Sequence, residues 1–326
     1  MKRRKWILVA LTAIWSLGVQ GETTSITSPD GIDIAAVQEA IEAAGARWSA
    51  AESRISRLPR EQRIARLGLR SDRGVTAASG SDPAEVFTFD SRLALPSSFD
   101  WRARAAVTPV KDQGQCGSCW AFSIIGAFES AAIIQAERWS NRAPLSRSAY
   151  RPGDESEQYL VSFDTGNAGC DGGQMRIAAE FLKSRGSISE TCLPYRADDL
   201  ALAACHRENR ELLRLLRWSN VPHDLDLLKA AVYRGPVAVG FLVYEDFFSY
   251  ESGVYSHTGS PDETPTGGHG VLVVGWNDDE EYFIVKNSWD TDWGEEGYFR
   301  IAYSQMWNGV EFGGLEASVL PVGPVR

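Results

Sequence analysis

This sequence is short of positive charge: 33 Lys and Arg stand against 43 Asp and Glu, for a formal net charge of −10. A clustered cationic face able to neutralise a phosphate backbone is therefore not expected, and neither is a nucleic-acid partner. Histidine is scarce, with only His206, His223, His257 and His269, so few side chains are suited to proton transfer at neutral pH. Cysteine is sparse and odd in number, at five, and pairing would leave one sulfur over. Cys116 and Cys119 have Cys-x-x-Cys spacing, but no matching second pair exists for a zinc site, and no βαβ pattern surrounds them as in a thioredoxin-like redox pair. No metal and no cofactor are expected. From Pro96 onward there is no repeat or low-complexity tract. With 44% apolar and 23% charged residues, disordered, collagen-like and coiled-coil classes are excluded, and 326 residues leave room for about two domains.

Long apolar runs are also missing after the N-terminus. Lys2 to Lys5 form a basic start, Trp6 to Val19 is almost wholly apolar, and Val19-Gln20-Gly21 offers small residues for a cut. That pattern predicts a signal peptide over 1–21, because the apolar part falls short of the roughly 20 residues a span needs. The mature chain is then expected to be soluble, with no membrane span, and secreted or periplasmic, or in a lysosome-like compartment of a eukaryotic cell, where disulfides persist.

Residues 22–95 differ from the rest. Ile34, Val37, Ile41 and Ala44 recur at helical spacing, and eight arginines from Arg47 to Arg73 face only Glu52, Glu61 and Asp72. From Pro96 to the end, 20 basic residues meet 32 acidic ones. The two pieces attract, which suggests a detachable segment docked on an acidic main domain, with the Ser-, Gly- and Asp-rich stretch Ser71 to Pro83 as an exposed linker. Beyond Pro96, Trp120–Ala136, Gln174–Ser184 and Asp224–Tyr233 read as helices, with Glu208–Arg217 a weaker candidate. Val237–Val243, Gly270–Trp276, Tyr282–Val285 and Tyr298–Ala302 read as strands. A helical half before a strand-rich half predicts an α+β fold.

The strongest local signal is Gln113-Gly114-Gln115-Cys116-Gly117-Ser118-Cys119-Trp120-Ala121-Phe122-Ser123. A glycine-marked loop leads into a helix that starts at or next to Cys119, where free backbone N–H groups and the macrodipole favour a thiolate. Gly267-Gly268-His269-Gly270 opens an apolar strand and lets another backbone approach the imidazole. Asn287-Ser288-Trp289 ends a later strand; the amide is placed to orient the ring and Trp289 to shield that bond from water. Singly these are turn or core residues; together they make a nucleophile, a base and an orienter.

Here the sequence resembles the papain-like cysteine peptidases, whose mark is Cys-Gly-Ser-Cys-Trp with downstream His and Asn. Asp100-Trp101-Arg102, Val107 to Gly114, Cys170-Asp171-Gly172-Gly173, Gly235-Pro236-Val237, Tyr250 to Tyr255, Val285 to Trp289 and Trp293-Gly294 are similar to family blocks in family order, over roughly residues 96 to 320. The resemblance implies a two-lobed fold, with a helical N-terminal lobe, an antiparallel β-barrel-like C-terminal lobe and the site in the cleft between. It implies a monomeric cysteine endopeptidase acting on polypeptides, with residues 22–95 as its own inhibitory propeptide and 96–326 as the peptidase domain. Cys119 would attack, His269 serve as base and then acid, Asn287 orient it, and Gln113 build the oxyanion hole. Gly172 and Gly173 would pair with an extended substrate, Met175, Gly240 and Gly268 would line the main specificity pocket, and Trp289 would border the site. An apolar side chain two residues before the cut is expected there. Cys116 would pair with Cys170 and Cys192 with Cys205, leaving Cys119 free. Three departures stand out: Phe163 where a cysteine often follows, an insertion over Asn141–Asp154, and Asp290 where glycine usually follows Asn-Ser-Trp. A non-catalytic peptide-binding homologue, or a transpeptidase or acyl transferase using the same thioester chemistry, is the alternative.

Overall fold

The computed structural model describes residues 31–70, 85–90, 94–140, 153–200, 213–260, 262–315 and 318–325. The expected signal peptide, the linker Ser71–Pro83, most of the expected insertion and Cys205 lie outside them.

An N-terminal arm comes first. Helix α1 (Ile34–Ala44) is capped by Asp33, which accepts the Ala36 N–H at 3.1 Å, and stops at Gly45 in the left-handed region. Strand β1 (Arg47–Ala50) and the single turn α2 (Arg60–Ile64) follow. Strands β2 (Glu85–Val86) and β3 (Ser98–Asp100) lead to the helical lobe of α3 (Cys119–Ser140), α4 (Glu157–Phe163) and α5 (Met175–Arg185). The remainder is β4 (Arg214–Val221), α6 (Leu225–Arg234), β5 (Val237–Val243), β6 (Tyr250–Tyr255), β7 (Gly267–Asn277), β8 (Tyr282–Lys286), β9 (Tyr298–Ala302) and β10 (Ser318–Val325).

Helix α3 explains the two lobes. Ala121, Ile124, Ile125, Ala127 and Phe128 are all buried, so the helix is apolar around its circumference and must be surrounded. It packs on α5 on one side and on β7 and β10 on the other. By length and composition the stretch Cys119–Glu137 would suffice to cross a bilayer, contrary to the expectation that no later run would, but 83% of its apolar window is buried inside the fold. Gly270 in β7 sits where an added Cβ would come within 3.1 Å of Cys119 O and of Ser123 Oγ, and this close approach brings the start of α3 against the strand that carries His269.

Two expectations are corrected. The sheet runs β1-β6-β9-β8-β7-β5-β10-β4-β2, with β3 pairing β7, and the two ends of that path do not meet, so the C-terminal lobe is not a closed or barrel-like sheet. It stays open because β4 and β10 extend from β5 to pack against α5 and α3 instead of curling back to β6. The two outer edges are covered by β1 and β2, both from the first ninety residues. The other correction concerns Glu208–Arg217, read as a weak helix: its described part is strand from Arg214. Leu215, Trp218 and Val221 are buried on that strand, and it pairs antiparallel with β10 from Ser318↔Val221 to Val325↔Arg214, so tertiary pairing overrides local propensity.

The lobes join along buried charge. Lys111 Nζ donates to Glu157 at 2.7 Å and lies 3.6 Å from Glu129. Glu129 accepts the Thr108 hydroxyl and, at 2.8 Å, the Glu155 N–H. Lys286, at the end of β8, donates to Thr108 Oγ1 at 3.1 Å. Burial lowers the Lys286 ammonium to about 8 and raises the Glu157 carboxyl, which Lys111 partly restores.

Candidate active site

Cys119 is the first residue of α3 and has no exposed surface. His269 lies near the start of β7, and its Nε2 is 2.8 Å from Asn287 Oδ1. That oxygen also accepts the Ser288 N–H at 2.8 Å, which fixes the amide with its oxygen toward the ring. The other imidazole nitrogen, Nδ1, is buried without a hydrogen-bond partner and is the atom left for proton exchange. Trp289 is fully buried, with its ring centroid 4.8 Å from that of His269, and stacks on Phe248. The His269–Asn287 bond is therefore dry.

Gln113 is held from both ends. Its N–H donates to Ser288 O at 2.9 Å, and its Oε1 accepts the Ser288 hydroxyl at 2.7 Å. This turns Nε2 the other way, to Cys116 O at 2.8 Å and to Arg66 O at 2.9 Å. Tyr195 braces the same loop: its hydroxyl donates to Gln113 O at 2.8 Å and lies 2.6 Å from Ser118 Oγ. Neither Ser288 nor Tyr195 carries a sequence signal of its own role. Ser288 stands inside the quoted Asn-Ser-Trp block, while Tyr195 is 82 residues from Gln113. Cys116 and Cys170 form a disulfide, and Gly117 N donates to Cys170 O at 2.9 Å, which holds the Gly172–Gly173 turn beside Cys119. Cys192 is also disulfide-bonded, its expected partner Cys205 being outside the described residues, and Cys119 is a free cysteine. His257 is remote from this cluster, stacked on Tyr244 and bonded to Asp246.

The arm fills the cleft. Gly68 N donates to Cys119 Sγ at 3.4 Å, and a Cβ on Gly68 would collide with Gly117 O. On one side, Leu69 N donates to Gly268 O at 3.1 Å, Arg70 N to Gly173 O at 2.9 Å, and Gly173 N to Gly68 O at 2.9 Å. The Leu69 side chain is buried in one apolar cluster with Met175 and Leu315. Gly240 lies opposite Gly270 in the β5–β7 ladder, and its carbonyl accepts Gly313 N at 2.9 Å, two residues before Leu315. Leu315 was not legible from sequence, since no motif joins it to the cleft. Under the arm, burial pushes the Cys119 thiol up to about 11 and the His269 imidazole down to about 4. Both are thus held neutral, because a desolvated ion pair is costly.

A family model described as papain family cysteine protease matches residues 95–315. The chain belongs to the papain family of cysteine proteases. It is 37% identical over 237 residues to the cathepsin B-like CP2 of Giardia intestinalis, covering 69% of this chain and 74% of that protein. The digestive procathepsin L2 proteinase from Tenebrio molitor larval midgut superposes with a TM-score of 0.70 at 29% identity, covering 89% of this chain and 88% of the other. The Carica candamarcensis cysteine protease CMS1MS2, in complex with E-64, gives a TM-score of 0.57 at 28% identity and covers 70% of this chain but 99% of its own. The papain-family catalytic centre is built on a cysteine, and this chain is a cysteine endopeptidase of that family.

Proposed function

We propose that Cys119, as a thiolate, attacks the carbonyl carbon of a peptide bond, with His269 carrying the proton at Nδ1. The tetrahedral oxyanion is received by Gln113 Nε2 and the Cys119 backbone N–H; one such donor is commonly worth about 3 kcal/mol. As the C–N bond breaks, the imidazolium gives its proton to the leaving amine and a thioester remains. Water, deprotonated by His269, attacks the thioester and frees the acid and the thiol. Asn287 holds the ring through Nε2 so that Nδ1 faces the chemistry. The acyl half of the substrate pairs with the Gly172–Gly173 edge by strand addition and places an apolar side chain against Met175, Gly240, Gly268 and Leu315, in the apolar cluster that Leu69 shares with Met175 and Leu315.

The observation that carries this reading is the arm itself. It lays backbone on the same groups a substrate would use, an amide on Cys119 Sγ and a carbonyl on Gln113 Nε2. Yet it meets them in the opposite order. It reaches Gln113 at Arg66 and the Gly173 edge at Leu69 and Arg70, and Leu69 pairs in parallel with Gly173, whereas a substrate in productive orientation passes the Gly173 edge first. The arm of residues 22–95 is therefore an inhibitory propeptide that resists its own enzyme, attached to the 96–326 peptidase and preceded by a signal over 1–21 that exports the chain. Proteolysis by matured wild type against Cys119→Ala tests the mechanism: a fall of about 10⁵-fold or more is expected, and comparable rates would overturn it. Equal activity of the full chain and the matured enzyme would overturn the inhibitory role.

A further inference from the structure

Three carboxylates converge beside the site. Asp112 precedes Gln113 in sequence, and Asp290 and Asp292 follow Trp289. Arg54 of the arm donates from Nε to Asp292 Oδ2 at 3.1 Å, and from Nη2 to Asp112 Oδ2 at 3.1 Å and to Trp289 O at 3.3 Å. Its Nη2 also lies 3.8 Å from Asp290 Oδ2. Arg66, almost wholly buried, donates from Nη1 to Asp112 Oδ1 at 3.1 Å and to Gly114 O at 2.8 Å, while its Nε has no partner. Burial by itself would lower the Arg54 guanidinium, but Asp292, Asp112 and Asp290 together hold it above the ordinary arginine value. Among the described residues, no lysine or arginine of the peptidase body bonds any of the three. Once the arm departs, they lose these cations.

Asp290 adds a second oddity. Its φ is 70°, in the left-handed region where a side chain is strained and the glycine usual at this position would not be. Its Oδ1 accepts the Thr291 N–H at 2.7 Å, which leaves Oδ2 as the oxygen toward Arg54.

The place of this cluster is set by the arm's path over Cys119. Leu69 and Arg70 lie toward Gly268 and Gly173, which take the acyl half of a substrate; Arg66 lies on the opposite side, over Gln113. A peptide bound in the productive direction therefore runs its leaving half toward Trp289 and the three aspartates. We propose that Asp112, Asp290 and Asp292 form a subsite that selects a lysine or arginine side chain among the first residues after the cleaved bond. This rests on the reading of Cys119 as the nucleophile. The cationic side chain would take the place of the Arg54 guanidinium, shared among three oxygens that are partly open to water.

The test uses enzyme matured from the full chain and titrated for active sites. Quenched-fluorescent peptides carry leucine two residues before the bond and Ala, Glu, Lys or Arg at each of three positions after it. At one of those positions Lys and Arg are expected to raise kcat/KM about tenfold over Glu. The preference should shrink as salt is raised, and fall to within about twofold in the Asp290→Gly/Asp292→Asn variant, whose glycine relieves the strained backbone and should not impair folding. Equal rates for Arg and Glu at all three positions, or an undiminished preference in the variant, would overturn the subsite while leaving the mechanism standing. Failure of the titrated enzyme to cut any of the peptides would overturn both.

Discussion

At the seam between the lobes, charge is buried: Glu129 is 1% exposed, Glu157 2% and Lys286 8%. Where the arm meets the body, most of the charge is wet, with the Arg54 side chain 38% exposed and Asp290 and Asp292 each 50%. The residue types are the same and the consequences differ. Separating the seam would strand bare ions in a dry interior, so it opens only by unfolding. Separating the arm hands its outer arginines and their carboxylates to water, which solvates both well. Burial decides which joint is permanent and which is made to be undone. The arm is mixed, because Arg63 and Arg66 are themselves buried and contribute the part of docking that water does not easily replace. Arg63 bonds Leu58 O and Glu245 and lies over the Phe248 ring.

That contrast is sharpest in its largest expected effect. Glu129→Ala strips the Thr108–Lys286 pair and the Glu155 N–H of their carboxylate, with Lys111 keeping Glu157, and should cost about 3–5 kcal/mol of unfolding free energy. Urea denaturation of the matured enzyme checks this; a loss below about 1 kcal/mol would show the seam to be no stronger than a surface contact. Next comes the arm at its closest approach. Gly68→Ala collides with Gly117 O and should weaken inhibition by a free 31–70 peptide by about 10- to 100-fold, measured as Ki on matured enzyme. An unchanged Ki would mean that the arm does not bind over the sulfur.

The pH dependence is smaller per unit. In the docked state His269 is lowered to about 4, chiefly by burial, with Asn287 opposing and Arg66 of the arm adding to it, so docking contributes to the shift. A group lowered by docking supports the docked state above its undocked value and withdraws that support as pH falls through the window toward about 4. Arm affinity should therefore weaken on acidification by at most about tenfold per unit there. Cys119, raised by burial to about 11, works in the other direction above its undocked value, which a thiolate at a helix start places below neutrality, so the two effects offset each other where they overlap and the acidic limb is read below that value. Ki against pH between 4 and 8 reads the acidic limb, and tighter binding in acid would refute it. Smallest of all is Arg60→Ala. That side chain is 60% exposed and 3.9 Å from Glu245, so a change in Ki below about threefold is expected; a tenfold change would mean that exposed pairs carry the docking after all.

Much of the fold was legible because apolar periodicity is local. The helix read from Ile34, Val37, Ile41 and Ala44 is α1, and the runs Val237–Val243 and Tyr298–Ala302 are β5 and β9 as read. The segment ending at Arg217 was not legible, since its helical propensity is overruled by pairing with β10, about a hundred residues away. The barrel-like lobe that the resemblance implied failed for a related reason: matching motifs do not say which strand lies next to which, and here β4 and β10 keep the sheet open. Cys119, His269, Asn287 and Gln113 could be named because each sits in a recognisable block. Ser288, Tyr195, Leu315 and Gly68 could not, because what each does depends on a partner that the chain reaches only after folding.

By itself, then, the sequence determined the chemistry available: a thiol at a helix start, an imidazole and an amide at strand ends, and an arginine-rich segment before an acidic domain. These follow from residue type and from neighbours a few positions apart. Only the tertiary structure decided where the sheet ends, which carboxylates the arginines find, and which way the arm crosses Cys119. Those are long-range approaches, set by how the lobes pack around α3 and by what the cleft leaves room for.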